Sequence, residues 1–138
     1  MSNEASNYLE EQIGTHLLRT SSWPKPTAIY VALFTTLPAE DGTGGVEVSG
    51  GSYARVQHGP SNATWAAPTG GNGQFSNTGS VLYAAPTANW GTVVGFGLYD
   101  DATAGNYLGG ALLTASRNIV SGDPAPNFPE GALKVTVG

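Results

Sequence analysis

The sequence predicts a mainly β protein, a single-domain antiparallel β-sandwich or open barrel with one N-terminal α-helix. The chain has 138 residues, enough for one domain with a hydrophobic core. Only 11% of the residues are charged, and 20 are glycine, whereas charged residues make up about 25% of an ordinary soluble domain. Short apolar segments alternate with turn residues, as in sandwiches and open barrels. We expect one domain over residues 1–138, with a helical segment at 1–22 and a β domain at 27–138.

Residues 7–20 predict the helix. Leu9, Ile13 and Leu17 recur at every fourth position and form an apolar stripe. Asn7 followed by Glu10 resembles a capping box at the helix start. An isolated helix of this length is marginal in water, so the stripe must pack against its own domain or a neighbouring subunit. Leu9, Ile13 and Leu17 are therefore candidate packing or interface residues.

Beyond Pro24 and Pro26, which end the helix, the pattern changes to that of strands. Residues 27–36 are apolar on both faces and predict a central, buried strand. Residues 46–58 predict two short strands around Gly50 and Gly51, as a hairpin or a bulge. Residues 59–77 look irregular, with Trp65 as the expected packing anchor. Further strands are predicted at 79–85, 90–100, 106–114, 115–120 and 132–138.

The segment GFGLYDDATAGN (95–106) is the most distinctive candidate for a site. Alternation within the strand puts Gly95 and Gly97 on one face, where they leave room for a large ring or another backbone. Asp100 and Asp101 then begin a loop of turn-forming residues. A cation site is the alternative, but two adjacent carboxylates supply too few oxygens for calcium. The pattern therefore favours a strand that runs into a turn.

Catalytic and cofactor signatures are missing from the sequence. It has no cysteine, no phosphate-binding loop and no nucleophile elbow. His16 and His58 make a weak zinc case, because few carboxylates lie near them in sequence. We therefore expect no enzymatic activity, no metal and no cofactor. The five Lys and Arg residues are dispersed in a chain of net charge −5, which disfavours binding to nucleic acid.

Aromatic residues offer a second kind of site. Trp90 and Tyr99, together with Asp100 and Asp101, could contact a glycan, since exposed rings and carboxylates suit sugars. The alternative is that the tryptophans are core or interface anchors. The two interpretations remain open at this point.

Several blocks of the sequence, in this order, resemble a family of small tailed-bacteriophage structural proteins. They are IYVALFTT (29–36), VEVSGGSYARV (46–56), NWGTVVGFGLYDDATAGNYL (89–108), SGD (121–123) and GALKVTV (131–137). Members are usually labelled phage tail fibre protein, and sometimes minor tail or head-surface protein. The resemblance implies a compact, mostly β virion component without catalytic residues.

From these observations we expect a non-enzymatic virion structural protein, a tail-fibre, tail or capsid-surface (decoration) subunit. The low charge content favours association with copies of itself and with other virion proteins, because few charges need desolvation. The alternative is a carbohydrate-binding adhesin that contacts a host surface glycan. The N-terminus is polar and no apolar run is long enough to span a membrane. We therefore expect synthesis in the host cytoplasm, no membrane association and a final location in the virion.

Overall fold

The computed structural model describes residues 5–137, which form one helix and ten strands. The elements are α1 (Asn7–Leu18), β1 (Tyr30–Thr36), β2 (Val46–Glu47), β3 (Val56–Gln57), β4 (Trp65–Ala66), β5 (Gln74–Asn77), β6 (Val81–Leu82), β7 (Gly91–Tyr99), β8 (Tyr107–Ile119), β9 (Asn127–Phe128) and β10 (Lys134–Thr136). All pairings between these strands are antiparallel. The mainly β architecture confirms the predicted fold class.

The strands form three sheets. The largest has the order β2-β1-β7-β8, with β3 also paired to β1. A three-stranded sheet has the order β10-β5-β4, and β6 pairs with β9. No sheet among residues 5–137 closes into a barrel. The core joins side chains of all three sheets: Val31, Leu33, Val48, Val81, Tyr83, Trp90, Val93, Phe96, Ala111, Ile119, Phe128, Leu133 and Val135.

Strand β1 is the buried central strand that its sequence predicts. Val31, Ala32 and Leu33 are 0% exposed, so both faces of the strand are covered. One edge of β1 pairs with β7. Along the other edge, β2 pairs near Phe34 and β3 pairs near Val31. Residues 46–58 therefore run along a single edge of β1, with residues 48–55 as a loop between the two short strands, so they form neither the expected hairpin nor a bulge.

Strand β7 departs from simple alternation. Its register with β8 shifts between Val93 and Gly95, so Val93 and Phe96 both reach the core. A bulge changes the strand period locally, and the sequence alternation at 90–100 could not show it. Strand β8 also runs unbroken over 107–119, where two strands were expected. The residue types of this segment do not show whether it forms one strand or two.

The glycines of β7 make room for neighbouring groups, as the sequence predicts. A Cβ built on Gly97 would lie 2.7 Å from Phe34 Cε2 and 2.9 Å from Tyr107 Cε1. A Cβ on Gly95 would lie 2.7 Å from the carbonyl oxygen of Ala111. The two glycines thus admit two aromatic rings and a strand backbone to the face of β7.

Helix α1 begins differently from the prediction. Ser6, not Asn7, is the N-cap: its Oγ accepts a hydrogen bond from the Leu9 amide at 3.1 Å. The Ser6 hydroxyl also donates to the carbonyl of Tyr107, and the Ser6 amide donates to the carbonyl of Leu108 at 2.9 Å. These bonds attach the helix start to β8. The serine hydroxyl accepts from the helix amide and donates to β8 at the same time. Asn7, which lies in the first turn, is therefore not needed as the cap.

The rest of α1 is shallowly packed. The helix ends at Leu18 rather than at residue 20, and none of its residues is buried. Among residues 5–137 the structure contains no helix that is long and apolar enough to cross a membrane.

Three strands were missed in segments without regular alternation: β4 and β5 within 59–77, and β9. Asn77 at the end of β5 is buried, and its side chain bonds the Gly79 carbonyl at 2.8 Å and the Leu133 amide at 2.9 Å. This asparagine connects β5 to the C-terminal strand. A buried asparagine that joins two strands looks in sequence like an ordinary turn asparagine.

We predict that Gly97→Ala destabilises the protein by about 1–3 kcal/mol, because the added methyl group overpacks against Phe34 and Tyr107. Gly14→Ala is the matched control. Gly14 lies in α1 with nothing within 4 Å of a built Cβ, so alanine should stabilise the helix by up to about 1 kcal/mol. Urea unfolding measures both changes, and a neutral Gly97→Ala would contradict the close packing.

Candidate functional site

The loop between β7 and β8 is a turn stabilised by its own carboxylates. Asp100 accepts hydrogen bonds from the Asn106 amide at 2.7 Å and from Asn106 Nδ2 at 2.9 Å. Asp101 accepts from the Ala102 amide at 2.7 Å. Both side chains therefore bond groups of the loop itself. Among residues 5–137, the structure has no group of three or more metal-ligating side chains.

Arg55 fixes this loop to the body of the protein. Its NH1 donates to the carbonyls of Asp101 at 2.9 Å and Ala104 at 2.8 Å. Its guanidinium also lies over the Tyr99 ring, 3.8 Å from the ring centroid, in cation–π geometry. The Arg55 side chain is only 7% exposed. An arginine whose side chain is largely covered thus holds the conformation of a surface loop.

Glu47 neutralises Arg55 inside the protein. Its carboxylate accepts from Arg55 Nε at 2.9 Å and from Arg55 NH2 at 2.8 Å, a bidentate pair. Tyr53 Oη donates to the same carboxylate at 2.7 Å and accepts from the Leu33 amide at 2.9 Å. Burial, together with the hydrogen bond to Glu47, raises the pKa of Tyr53 well above its ordinary value. The network connects the loop to the central strand β1.

Sequence reasoning missed this network. Tyr53 and Arg55 are two residues apart, so an extended segment directs both to one side, and Glu47 lies on the strand just before. That spacing is the one available signal, and it is weak. Nothing in the sequence indicates that Arg55 donates hydrogen bonds to the carbonyls of a loop about fifty residues further along the chain.

A polar cleft of about 480 Å³ lies beside the loop. Three tyrosines line it, Tyr8 of α1, Tyr99 of β7 and Tyr107 of β8, together with Asp41 and Asn106. Burial raises the pKa of Tyr107 to about 12, and the neighbouring Tyr99 adds to the rise. The pKa of Asp41 is lowered, because its carboxylate accepts hydrogen bonds from the Thr43 side chain and amide. The cleft thus combines aromatic rings with hydrogen-bonding groups.

A second cleft, the apolar groove, lies between α1 and the three-stranded sheet. It has a volume of about 420 Å³. Leu9 and Ile13 of α1 line one side of it. The remaining lining is Trp23, Lys25, Pro26, Ile29, Pro60, Trp65, Phe75, Leu98, Leu108, Val135 and Val137. Trp65 is held there by its Nε1, which donates to the His58 carbonyl at 2.7 Å.

The predicted interface residues divide between two surfaces. Leu9, Ile13 and Trp65 line the apolar groove. Leu17 is 72% exposed and lies outside it. The chain therefore covers only a small part of Leu17, so the apolar stripe of the helix is only partly used by its own fold.

The predicted glycan-contact residues also separate. Trp90 is 5% exposed, and its Nε1 donates to the Gly51 carbonyl at 2.9 Å. Its ring packs against Tyr53 and Tyr83 in the core, so it presents no face to a sugar. Tyr99 lines the polar cleft, whereas Asp100 and Asp101 hold the adjacent loop.

The two histidines are engaged by the chain itself. The ring of His58 is hydrogen-bonded through Nε2 to the Thr64 carbonyl at 2.9 Å. His16 Nδ1 accepts from the Trp23 amide at 3.2 Å. Each ring therefore stabilises a turn of the backbone.

A small, mostly β body with firmly held loops and an apolar helix side has the character of an assembly component. Comparison with known families places this chain among the structural proteins of phage tail fibres. The family model described as "Podophage GP4 fiber I protein gp80" matches residues 4–136. The chain belongs to this family, which confirms the resemblance seen in the sequence. A search of curated proteins found no match.

Replacing Asp100 and Asp101 together by Asn should cost less than about 1 kcal/mol of stability, since an amide oxygen can still accept the backbone hydrogen bonds of the loop. Adding a chelator should leave the melting temperature unchanged. Differential scanning calorimetry tests both points. A fall of many degrees with the chelator would contradict the turn and indicate a bound cation.

Breaking the Arg55–Glu47 pair should be far more damaging. We expect Arg55→Met to destabilise the protein by about 3 kcal/mol, because it leaves the Glu47 carboxylate without its partner in a mostly buried site. Arg117→Met is the matched control. Arg117 is exposed and its guanidinium lies 4.9 Å from the ring centroid of the buried Phe128, and its loss should cost about 1 kcal/mol or less. Equal effects in urea unfolding would refute a special role for the pair.

Alkaline pH should destabilise the fold. The pKa values of Tyr53, Tyr83 and Tyr107 are all raised by burial. Their contribution is fully present below the unfolded tyrosine pKa of about 10 and is lost as the pH rises above it. The free energy of unfolding, measured from pH 8 to 11, should fall above pH 10. Tyr107→Phe should make that fall shallower, and superimposable pH curves would contradict the assignment.

Proposed function

We propose that this chain is a non-enzymatic structural subunit of the phage tail fibre, present in several copies and in contact with other virion proteins. One observation carries the proposal. The reactive side chains most suited to a site, among them Arg55, Asp100, Asp101 and His58, bond the chain's own backbone. The cleft beside α1, the apolar groove, is lined mostly by apolar side chains. Such a surface suits contact between proteins rather than chemistry on a small substrate.

The structural role also accounts for the firmness of the β7–β8 loop. A subunit that is repeated in a particle needs its contact surfaces fixed before assembly, since ordering a loop on association weakens the contact. Arg55 and Asp100 fix the loop within the isolated chain. We further propose that the whole chain acts as one domain, because the segment before α1 is bonded to β8 and the C-terminal β10 pairs with β5.

The test is the location of the chain in the particle. Antibodies raised against the purified chain should label the tail fibre in electron micrographs of intact phage. Phage that lack the gene should lose the label and carry defective or missing fibres. Label on the capsid would favour a decoration subunit instead. Particles free of the chain by mass spectrometry would overturn the structural role altogether.

A glycan contact at the polar cleft is the second candidate function. Three tyrosines beside Asp41 and Asn106 form the observation that favours it, because aromatic faces and hydrogen-bonding side chains together suit a sugar. The cleft would replace the surface expected around Trp90. Asp100 and Asp101 would contribute by positioning Asn106 and the loop.

Binding of the purified chain to a glycan array and to host cells tests this second candidate. Saturable binding that is lost in Tyr8→Ala but kept in Leu82→Ala would support it. Leu82 is a suitable control because it is exposed on β6, which does not line the cleft. The absence of any saturable binding would remove the candidate and leave the structural role untouched.

A further inference from the structure

The polar cleft beside the β7–β8 loop contains a tyrosine that the chain leaves uncommitted. Tyr8 of α1 is half-buried and lines the cleft. Within residues 5–137, no other ring contacts the Tyr8 ring and no group hydrogen-bonds its hydroxyl. The core tyrosine Tyr83, by contrast, donates to the Val31 carbonyl at 2.7 Å and packs against Trp90. The cleft volume of about 480 Å³ lies within the range of ligand pockets, so Tyr8 offers its ring and hydroxyl to a ligand.

The start of α1 brings Tyr8 beside the segment that carries Asp41. The Asn7 amide donates to the Glu40 carbonyl at 2.9 Å, so the sequence neighbours of Tyr8 and Asp41 are hydrogen-bonded to each other. Glu40 and Asp41 both line the cleft together with Tyr8. The cleft therefore sets an aromatic ring and a carboxylate close together.

Asp41 is an ionised carboxylate in a fixed orientation. The Thr43 hydroxyl and the Thr43 amide both donate to its Oδ1, at 2.6 and 3.0 Å. These hydrogen bonds lower the pKa of Asp41, so its negative charge is present at neutral pH. Since both bonds end on Oδ1, Oδ2 remains available to a donor of the ligand. An ammonium group satisfies a carboxylate and an aromatic face together, by a charge-assisted hydrogen bond and a cation–π contact.

Arg55 does not make the cleft a site for anions. Of the described residues that line the cleft, it alone is cationic. Its four hydrogen bonds, two of them to Glu47, use four of its five N–H groups, and the Glu47 carboxylate balances its charge. Its guanidinium lies 3.8 Å from the centroid of the Tyr99 ring, so one ring of this cleft already holds a cation. The chain has a net charge of −5, which further favours a cationic ligand over an anionic one.

Asn106 adds a group that suits a sugar. Its Nδ2 donates to Asp100 Oδ2 at 2.9 Å, which orients the amide, and its Oδ1 can accept from a hydroxyl. Ala104 of the same loop has a φ of 52°, in the left-handed region that few non-glycine residues adopt. Its carbonyl is held by Arg55. Strained backbone of this kind is frequent in loops shaped for a ligand.

We propose that the polar cleft binds a sugar that carries a free amine, with the ammonium group between the Asp41 carboxylate and the Tyr8 ring and a hydroxyl donating to Asn106 Oδ1. Such a ligand specifies the chemical class of the glycan contact proposed above, on which this inference rests. An acidic sugar would bring its own carboxylate towards Asp41. An N-acetylated sugar would lose the charge on which both contacts of the ammonium group depend.

Isothermal titration calorimetry of the full chain with short oligosaccharides tests the ligand class. A β-1,4-linked glucosamine tetramer should bind with a dissociation constant of about 1 mM or below. Its N-acetylated counterpart should bind about tenfold more weakly, and a galacturonic acid tetramer should show no saturation. Equal affinity for the free-amine and N-acetylated tetramers would overturn the proposal, as would the absence of saturable binding of the glucosamine tetramer.

Asp41→Asn tests the charge within the cleft. Asparagine keeps an oxygen for the hydrogen bonds of Thr43 but removes the charge, so the glucosamine tetramer should bind about threefold more weakly. Glu130→Gln is the matched control, because Glu130 is exposed outside the cleft and its replacement changes the net charge equally. Equal weakening by the two variants would indicate adsorption to an acidic surface and would overturn the proposal.

Tyr8→Ala tests the ring. Loss of the cation–π contact should weaken binding of the glucosamine tetramer about threefold, whereas Tyr8→Phe, which keeps the ring, should recover most of that loss. Circular dichroism confirms that both variants fold. A Tyr8→Phe variant that binds no better than Tyr8→Ala would overturn this placement of the ammonium group.

The sugar series also keeps this inference apart from the proposed functions. Saturable binding of neutral sugars with no preference for the amine would overturn the ligand class and leave the glycan contact standing. A lack of saturable binding of every sugar would remove both. The structural role is decided separately by labelling of the fibre.

Discussion

The fold depends on supplying hydrogen-bond partners to the buried backbone of β1. This strand is covered on both faces, and along one edge its neighbours β2 and β3 leave a gap between them. A buried amide without a partner costs about 1–3 kcal/mol, so the gap must be filled. The Leu33 amide donates to Tyr53 Oη, and the Leu33 carbonyl accepts from the Val48 amide. The segment between β2 and β3 supplies both partners, Tyr53 Oη and the Val48 amide.

The same requirement explains the surface. Once Tyr53 accepts from β1, its own proton needs an acceptor, and Glu47 supplies one. A carboxylate in that position needs a cation, which Arg55 supplies, and the remaining donors of Arg55 hold the β7–β8 loop. The loop conformation beside the polar cleft is thus a consequence of satisfying the central strand. Substitution of Tyr53 or Glu47 should therefore change the conformation of the β7–β8 loop, although neither residue belongs to the loop.

The sequence predicts those parts of the molecule that local pattern determines. The buried strand β1, the room made by Gly95 and Gly97, and the turn at Asp100 each follow from residue type and spacing alone. The hydrogen bonds from Ser6 to β8, the bulge after Val93 and the strands β4, β5 and β9 depend on partners far away in sequence. The Arg55 network is the extreme case, because β1, residues 47–55 and the β7–β8 loop all have to meet before it forms. Trp90 shows the reverse problem, since nothing local distinguishes a core tryptophan from an exposed one.

Helix α1 is stabilised unevenly along its length. A helix of 12 residues with none buried is marginal by itself, since short helices rely on packing for their stability. The Ser6 cap and the contacts of Leu9 and Ile13 in the apolar groove hold its first part. The second part, from Gly14 to Leu18, has much less support from the chain. Gly14 lowers the stability of this part further, because glycine has a low helix propensity.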